Sequence, residues 1–347
     1  MNIFIDKYNL SRFYEYVLDE SINRIYIITD KIVNKLYIEY LKSYIDNNIE
    51  TYVYVLPPGE ENKTIENVLL IYDDLIQNNI DRQTLIVSFG GGVVGDIAGF
   101  VASTYKRGIK YIQIPTTFLS QVDSSIGGKT GFDYKGFKNI IGTFYFPERI
   151  FIDVSFLKSL SKREIICGLG EVFKYGLIAD YSLFQFIKNN FKNIYDKNLD
   201  ILMHIVNSSV NIKHNIVSKD KYDKGLRNIL NFGHTIGHSI ESYYNFSKYN
   251  HGEAVILGMM YEFYIALELS LIDKEYFAEV YNTLSFILPP ISFTRKEIED
   301  LIHIMKNDKK NIDNNIAFVL PIDKGKVDVF YHINENLIIK ALEGDWF

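Results

Sequence analysis

Between Gln83 and Tyr105 the chain carries a single charge, Asp96, among apolar and small residues. A stretch of that length with so little charge suits either a membrane span or elements buried in a protein core. Five glycines interrupt it, three of them consecutive at Gly90, Gly91 and Gly92. Glycine inside a helix costs roughly 1 kcal/mol relative to alanine, and the apolar run before the glycines, TLIVSF (84–89), is only strand length. The segment therefore reads as a buried strand, a glycine turn and a buried helix, DIAGFVASTYK (96–106), with no membrane span.

The flanking sequence repeats that alternation. RIYIIT (24–29), ETYVYVL (50–56) and GIKYIQI (108–114) read as strands, with helices over 32–45 and about 64–78. Strand–helix alternation of this kind predicts a parallel, doubly wound sheet. After about Asp153 the apolar spacing becomes helical, apart from a short β pair, IAFVLP and KVDVFY. The expected fold is α/β: a Rossmann-like N-terminal domain (1–153) followed by a mostly α-helical C-terminal domain (154–347). A length of 347 residues accommodates both. The net charge of −6 argues against a nucleic-acid partner while leaving room for a small anionic substrate held by local cations. Cys167 has no cysteine partner in the chain, and Asp6 and Lys7 interrupt any apolar leader, so a cytoplasmic enzyme is expected.

Gly90-x-Gly92-x-x-Gly95 lies between a predicted strand and a predicted helix. Glycines there let backbone approach a pyrophosphate whose charge rests at a helix N-terminus, which predicts dinucleotide binding. The placement is unusual. The loop follows the third predicted strand, and the place of the customary acidic residue about 20 positions on is taken by IPTTF. A second signal is His234-x-x-x-His238, an i, i+4 pair on a predicted helix that could hold zinc. Chance alone supplies such a pair in about one chain in seven with this histidine content.

Taken in series, these segments resemble the 3-dehydroquinate synthase family. The likeness runs through FGGGVVGDIAGFVASTYKRG, IPTTFLSQVDSSIGGKTGFDYKGFKNIIGTF, GLGEVFKYGLI, LRNILNFGHTIGHSIE, HGEAVILGMM and KNDKKN, over roughly residues 55–320. The first ~20 residues resemble the family only loosely. The resemblance implies NAD as cofactor, with contacts from Asp30, Glu60, Lys63, Gly91, Gly92, Val93, Asp96, Thr116, Thr117, Asp123, Lys129, Lys138, Phe156, Ser159 and Glu164. Ser159 stands where the family often has threonine. It also implies one divalent metal, zinc or cobalt, on Glu171, His234 and His251, leaving His238 for substrate. That set differs from the histidine pair that spacing alone suggests. It suits catalysis, because two histidines and a carboxylate leave zinc an open position. Glu171 also sits in an otherwise apolar helix, a costly place without partners.

The implied substrate is a small anionic sugar phosphate, 3-deoxy-D-arabino-heptulosonate 7-phosphate. Lys129, Asn139, Lys174, Lys213, Arg227, Asn231, His238, Lys309 and Lys310 are its implied surroundings. Arg227 could hold a carboxylate bidentately. The resemblance further implies a homodimer in which Arg107 serves the partner's substrate site. Arg107 lies eleven residues after Asp96, about 16 Å along a continuous helix axis and away from the glycine loop. Competing readings are another sugar-phosphate cyclase of the 2-deoxy-scyllo-inosose synthase kind, a metal-dependent polyol dehydrogenase, and an inactive NAD-binding scaffold. Retention of Lys213, Arg227, Asn231 and His238 favours dehydroquinate formation.

Overall fold

A computed structural model describes all residues except Met1, Gly136, 307–315, Asp345 and Phe347. The chain divides into two compact units: Met1–Leu160 with Lys197–Val210, and Ser161–Asp196 with Asn211–Phe347.

The first unit is built on β1 (Asn2–Asp6), α1 (Ser11–Asp19), β2 (Arg24–Asp30), α2 (Lys31–Lys42), β3 (Glu50–Leu56), α3 (Ile65–Gln77), β4 (Leu85–Gly90), α4 (Gly92–Thr104) and β5 (Tyr111–Pro115). An antiparallel hairpin, β6 (Lys129–Tyr134) and β7 (Phe137–Phe144), precedes β8 (Arg149–Asp153). Six strands form one parallel sheet in the order β1-β8-β5-β4-β2-β3. Alternate residues of β2 feed two cores. Tyr26 and Ile28 pack with Val68 and Ile71 of α3 and Ile97 and Val101 of α4. Ile25 and Ile27 pack with Phe13 of α1 and Val33 and Leu41 of α2. Helices thus cover both faces, which is the expected doubly wound plan.

Strand order accounts for the unusual position of the glycine loop. From β2 the chain steps outward to β3, then crosses back to β4 on β2's other side. β2 and β4 therefore flank the point where the winding reverses, where such sheets take their ligands beyond the strand C-termini. The glycine turn ends β4, and Asp30 ends β2.

Two sequence expectations are corrected here. The helix predicted over 96–106 begins four residues earlier, at Gly92, because the glycines themselves form its first turn. It also ends at Thr104. Lys106 and Arg107 adopt left-handed backbone at φ 49° and 66°, so Arg107 lies on a tight turn beyond the helix and the straight 16 Å extrapolation fails. The Arg82 guanidinium secures this turn by donating to the Lys106 carbonyl from Nε at 3.0 Å and NH2 at 2.6 Å. Strands β1 and β8 and the β6–β7 hairpin were not foreseen.

The second unit contains α5 (Lys162–Ile178), α6 (Tyr181–Asn189) and α7 (Phe191–Tyr195). Next comes α8 (Leu199–Lys219), whose first part belongs to the first unit. It is followed by α9 (His234–Tyr243), α10 (His251–Glu268), α11 (Lys274–Ile287) and α12 (Arg295–Lys306). The β pair is β9 (Phe318–Asp323) and β10 (Lys326–Phe330), and α13 (Glu335–Glu343) ends the unit. α10 is buried from Gly252 to Ala266, on all sides, and acts as the axis of this unit. Among the described residues, no helix is long and apolar enough to cross a membrane.

Candidate active site

Three helices of the second unit converge through glycine contacts beside three metal-ligating side chains. A Cβ on Gly252 of α10 would stand 1.9 Å from the Cys167 carbonyl of α5, and one on Gly170 would stand 2.4 Å from the Gly252 carbonyl. On the other side of α10, a Cβ on Gly258 would meet the Gly233 carbonyl at 1.9 Å. Only glycine permits these crossings. The neighbours in sequence of Gly170, Gly233 and Gly252 are Glu171, His234 and His251.

The convergence is tight. Glu171 Oε1 lies 3.2 Å from His234 Nε2 and 3.1 Å from His251 Nε2, while Oε2 accepts a hydrogen bond from Lys174 one turn along α5. One ligand atom from each of Glu171, His234 and His251 falls within a 4.8 Å group. His238 lies beside them, its ring centre 5.0 Å from that of His234 and 6.0 Å from that of His251. A second trio comprises His238, Glu241 and His251.

Capping fixes where the helices start. Ser161 and Glu164 form a capping box on α5, and Asn250 and Glu253 form another on α10. Arg163 joins the two ends, donating from Nε to Glu253 Oε1 at 2.9 Å and from NH2 to Oε2 at 2.8 Å. Glu164, an implied NAD contact, thus also holds the start of α5.

Within the first unit, Lys63 is buried and its Nζ lies 2.5 Å from Asp96 Oδ2 and 3.8 Å from Glu60 Oε1. Lys138 reaches the same Glu60 oxygen at 3.8 Å. Burial opposes a charge on Lys63, but Asp96 and Glu60 outweigh it and raise the ammonium's pKa. Burial raises the carboxyl of Asp96, with Lys63 acting in the opposite direction. At the glycine loop, a Cβ on Gly91 would be 3.0 Å from Thr117 Cγ2, and one on Gly92 3.1 Å from Ser124 Oγ. No side chain caps the start of α4. Bare backbone N–H groups at the head of a thirteen-residue helix fit a pyrophosphate.

The other implied residues are distributed as follows. Asp30 caps α2, accepting from Ile32 N at 2.8 Å and Val33 N at 3.0 Å. Val93 belongs to α4's first turn, and Asp123 to a π-helical turn over Ser120–Ser124. Thr116 N donates to the Gly90 carbonyl at 3.0 Å, and Thr117 Oγ1 lies 2.8 Å from Ser120 Oγ. The Phe156 ring is buried in the core, and Ser159 Oγ donates to its carbonyl at 3.0 Å. Lys129 and Asn139 stand on the hairpin, where Asn139 has φ 50° and donates its N–H to Asp133 Oδ1 at 2.8 Å. In the second unit Lys213 and Arg227 are buried, and Asn231 ends a 3-10 turn just before α9. Lys309 and Lys310 lie outside the described residues.

Residues 53–167 match the 3-dehydroquinate synthase N-terminal domain model, and residues 168–311 match the corresponding C-terminal domain. The chain belongs to the 3-dehydroquinate synthase family. A 3-dehydroquinate synthase from Thermoanaerobacter sp. (strain X514) is 45% identical over 322 residues, covering 92% of this chain and 90% of the relative. One from Clostridium tetani is 43% identical, covering 98% and 91%. Among solved structures, 2-deoxy-scyllo-inosose synthase complexed with carbaglucose-6-phosphate, NAD+ and Co2+ is 26% identical with a TM-score of 0.88, covering 98% of this chain and 96% of that one. An iron-containing alcohol dehydrogenase at 16% identity and TM-score 0.66, covering 98% and 96%, shares the fold alone.

One residue of this cluster has no counterpart in the sequence reading. Glu241 is buried, and its Oε2 lies 3.2 Å from His251 Nδ1. Spacing could have revealed it, since His234, His238 and Glu241 stand at i, i+4 and i+7 on one helical face. A carboxylate at Nδ1 holds a histidine with Nε2 turned toward a metal.

The charges around His251 have a measurable consequence. Burial opposes protonation of this imidazole, but Glu241 and the hydrogen bond to Glu171 outweigh it, lifting its pKa to about 10. Burial and the neighbouring Lys174 instead lower His234 to about 4. Burial raises the Glu171 carboxyl, yet Lys174 and His234 overcome this and hold it well below the usual carboxylate range. At neutral pH the metal-free cluster therefore carries one proton on His251 that a metal must displace. Zinc affinity, measured by chelator competition, is predicted to rise about tenfold per pH unit between pH 6 and 9, with about one proton released per ion bound. A pH-independent affinity would contradict this assignment of the proton.

Proposed function

We propose that this chain converts 3-deoxy-D-arabino-heptulosonate 7-phosphate to 3-dehydroquinate and phosphate, as a cytoplasmic homodimer in aromatic amino-acid biosynthesis. The observation that carries the reading is near full-length likeness to 3-dehydroquinate synthases at 43–45% identity, against 26% to the inosose synthase. The donor set fits a divalent zinc or cobalt ion on Glu171, His234 and His251, since two imidazoles and one carboxylate leave room for substrate oxygens. The glycine loop and the head of α4 fit the NAD pyrophosphate.

When bound, NAD supplies a reversible hydride acceptor, and the metal supplies a Lewis acid toward a substrate hydroxyl. The protein's groups do the remainder. Lys174, an ammonium beside Glu171, stabilises the developing negative charge on the substrate oxygen. Arg227 holds the substrate's carboxylate, and its planar fork fixes the orientation. Lys129, Asn139 and Lys310 are the phosphate contacts that the family resemblance implies. Oxidation to a ketone would acidify the adjacent C–H, the substrate's own phosphate takes that proton and phosphate leaves, and return of the same hydride would restore the hydroxyl, so the sequence is redox-neutral. His238 moves a proton at its ring nitrogen during ring opening and the closing aldol step.

The test is incubation with the heptulosonate phosphate and substoichiometric NAD. Phosphate release and the carbocyclic product, followed by NMR, should continue for many turnovers without a steady rise in NADH absorbance. Continuous NADH production in proportion to substrate would indicate a polyol dehydrogenase instead.

The homodimer makes its own prediction through Arg107, which is exposed on the turn after α4. If it serves the partner's substrate site, Arg107→Ala and Lys174→Ala homodimers are each nearly inactive. Mixed dimers regain activity, because one of their two sites combines an intact Lys174 with the partner's intact Arg107. Verified mixed dimers that stay inactive, or an Arg107→Ala enzyme of full activity, would remove Arg107 from catalysis.

A further inference from the structure

Glu262 lies on α10, eleven residues after His251, and is fully buried. Its Oε2 accepts a hydrogen bond of 2.6 Å from the N–H of Gly233. Gly233 is the residue before α9, in left-handed backbone at φ 76°, and no side chain of its own caps that helix. The same peptide unit that offers this N–H carries the Phe232 carbonyl. That carbonyl lies 2.9 Å from His234 Nδ1. His234 Nε2, on the opposite side of the ring, faces Glu171 Oε1 at 3.2 Å.

From these contacts we infer that Glu262 is a positioning residue for His234, acting through the Phe232–Gly233 peptide. A carboxylate accepting from one end of an amide draws electron density toward its oxygen, so the carbonyl becomes a better acceptor for the Nδ1 proton. The carbonyl in turn fixes the tautomer with Nε2 free for a ligand, and makes the imidazole a stronger donor. His251 receives this support directly from Glu241. His234 receives it through one intervening peptide. The turn leaves little room for another solution, because a Cβ on Gly233 would meet Met259 Cγ at 2.6 Å and the Val255 carbonyl at 2.9 Å. The chain reverses at φ 76° against the body of α10, and Glu262 is the side chain of α10 that accepts from the buried N–H of that reversal.

This inference rests on the reading that Glu171, His234 and His251 bind a divalent metal, and the experiment separates the two. Zinc affinity is measured by chelator competition on wild type, Glu262→Gln and Glu262→Leu, with circular dichroism and thermal melting of the metal-free forms beside it. Wild type that binds no zinc would refute the metal reading itself. With wild type binding, Glu262→Gln can still accept from Gly233 but no longer carries a carboxyl group. It should keep the fold and lose about 10- to 100-fold in zinc affinity, as changes behind a metal-bound histidine commonly do. Glu262→Leu should lose more. A glutamine variant with wild-type affinity would overturn the inference, since the residue would then be only a hydrogen-bonding filler. Should both variants fail to fold, glycine-selective 15N labelling of the wild-type metal-free protein decides. The Gly233 amide proton should resonate well downfield of ordinary amides and exchange slowly, and an ordinary shift with rapid exchange would overturn the inference.

Discussion

Close backbone contact between α10 and its two neighbours is the constraint on which the rest of the site depends. Helices with ordinary side chains at a contact pack 8–10 Å apart. Here the carbonyls of Cys167 and Gly233 occupy space that a Cβ at Gly252 or Gly258 would need. Each glycine inside a helix costs roughly 1 kcal/mol of helix propensity, so α5, α9 and α10 accept a few kcal/mol of local instability to come this close. What they obtain is geometry: Glu171, His234 and His251 are next in sequence to glycines of these contacts and arrive with their ligand atoms facing one another.

Electrostatics keeps that geometry stable. A fully buried carboxylate without partners costs several kcal/mol, enough to cancel much of a domain's stability. Glu171 has Lys174 on one oxygen and two imidazoles on the other. The same logic recurs in the first unit, where Lys63 is enclosed by Asp96 and Glu60. In both places a buried charge is met by opposite charge beside a surface that suits a ligand: a metal ion in one, a dinucleotide in the other.

Much of this was legible in the sequence. The alternation of RIYIIT, ETYVYVL and TLIVSF with helical segments sufficed for a parallel sheet, because β2, β3 and β4 are short runs rich in Ile, Val and aromatic residues. The start of α4 was misplaced because three glycines ordinarily disfavour helix, and the energetic reason for helix there is packing against β4 and the hairpin. β1 and β8 escaped notice because each is five residues long and their pairing joins segments nearly 150 residues apart, a relation that local periodicity does not carry. In the site, the i, i+4 spacing of His234 and His238 drew attention to one helix. The trio around Glu171 draws on three helices, which no spacing within a single element can report. Glu241 was within reach of the same periodicity. Glu262 had only the weaker signal of a carboxylate in an apolar helix, since its partner is a backbone N–H whose position depends on the fold.

The ligand set is the center of the account, and X-ray absorption spectroscopy of the zinc-loaded protein tests it most directly. Two imidazole nitrogens at about 2.0–2.1 Å with the remaining donors oxygen are expected, and the same spectrum from a His238→Ala variant. Three imidazoles in the native spectrum, or loss of one on replacing His238, would contradict it.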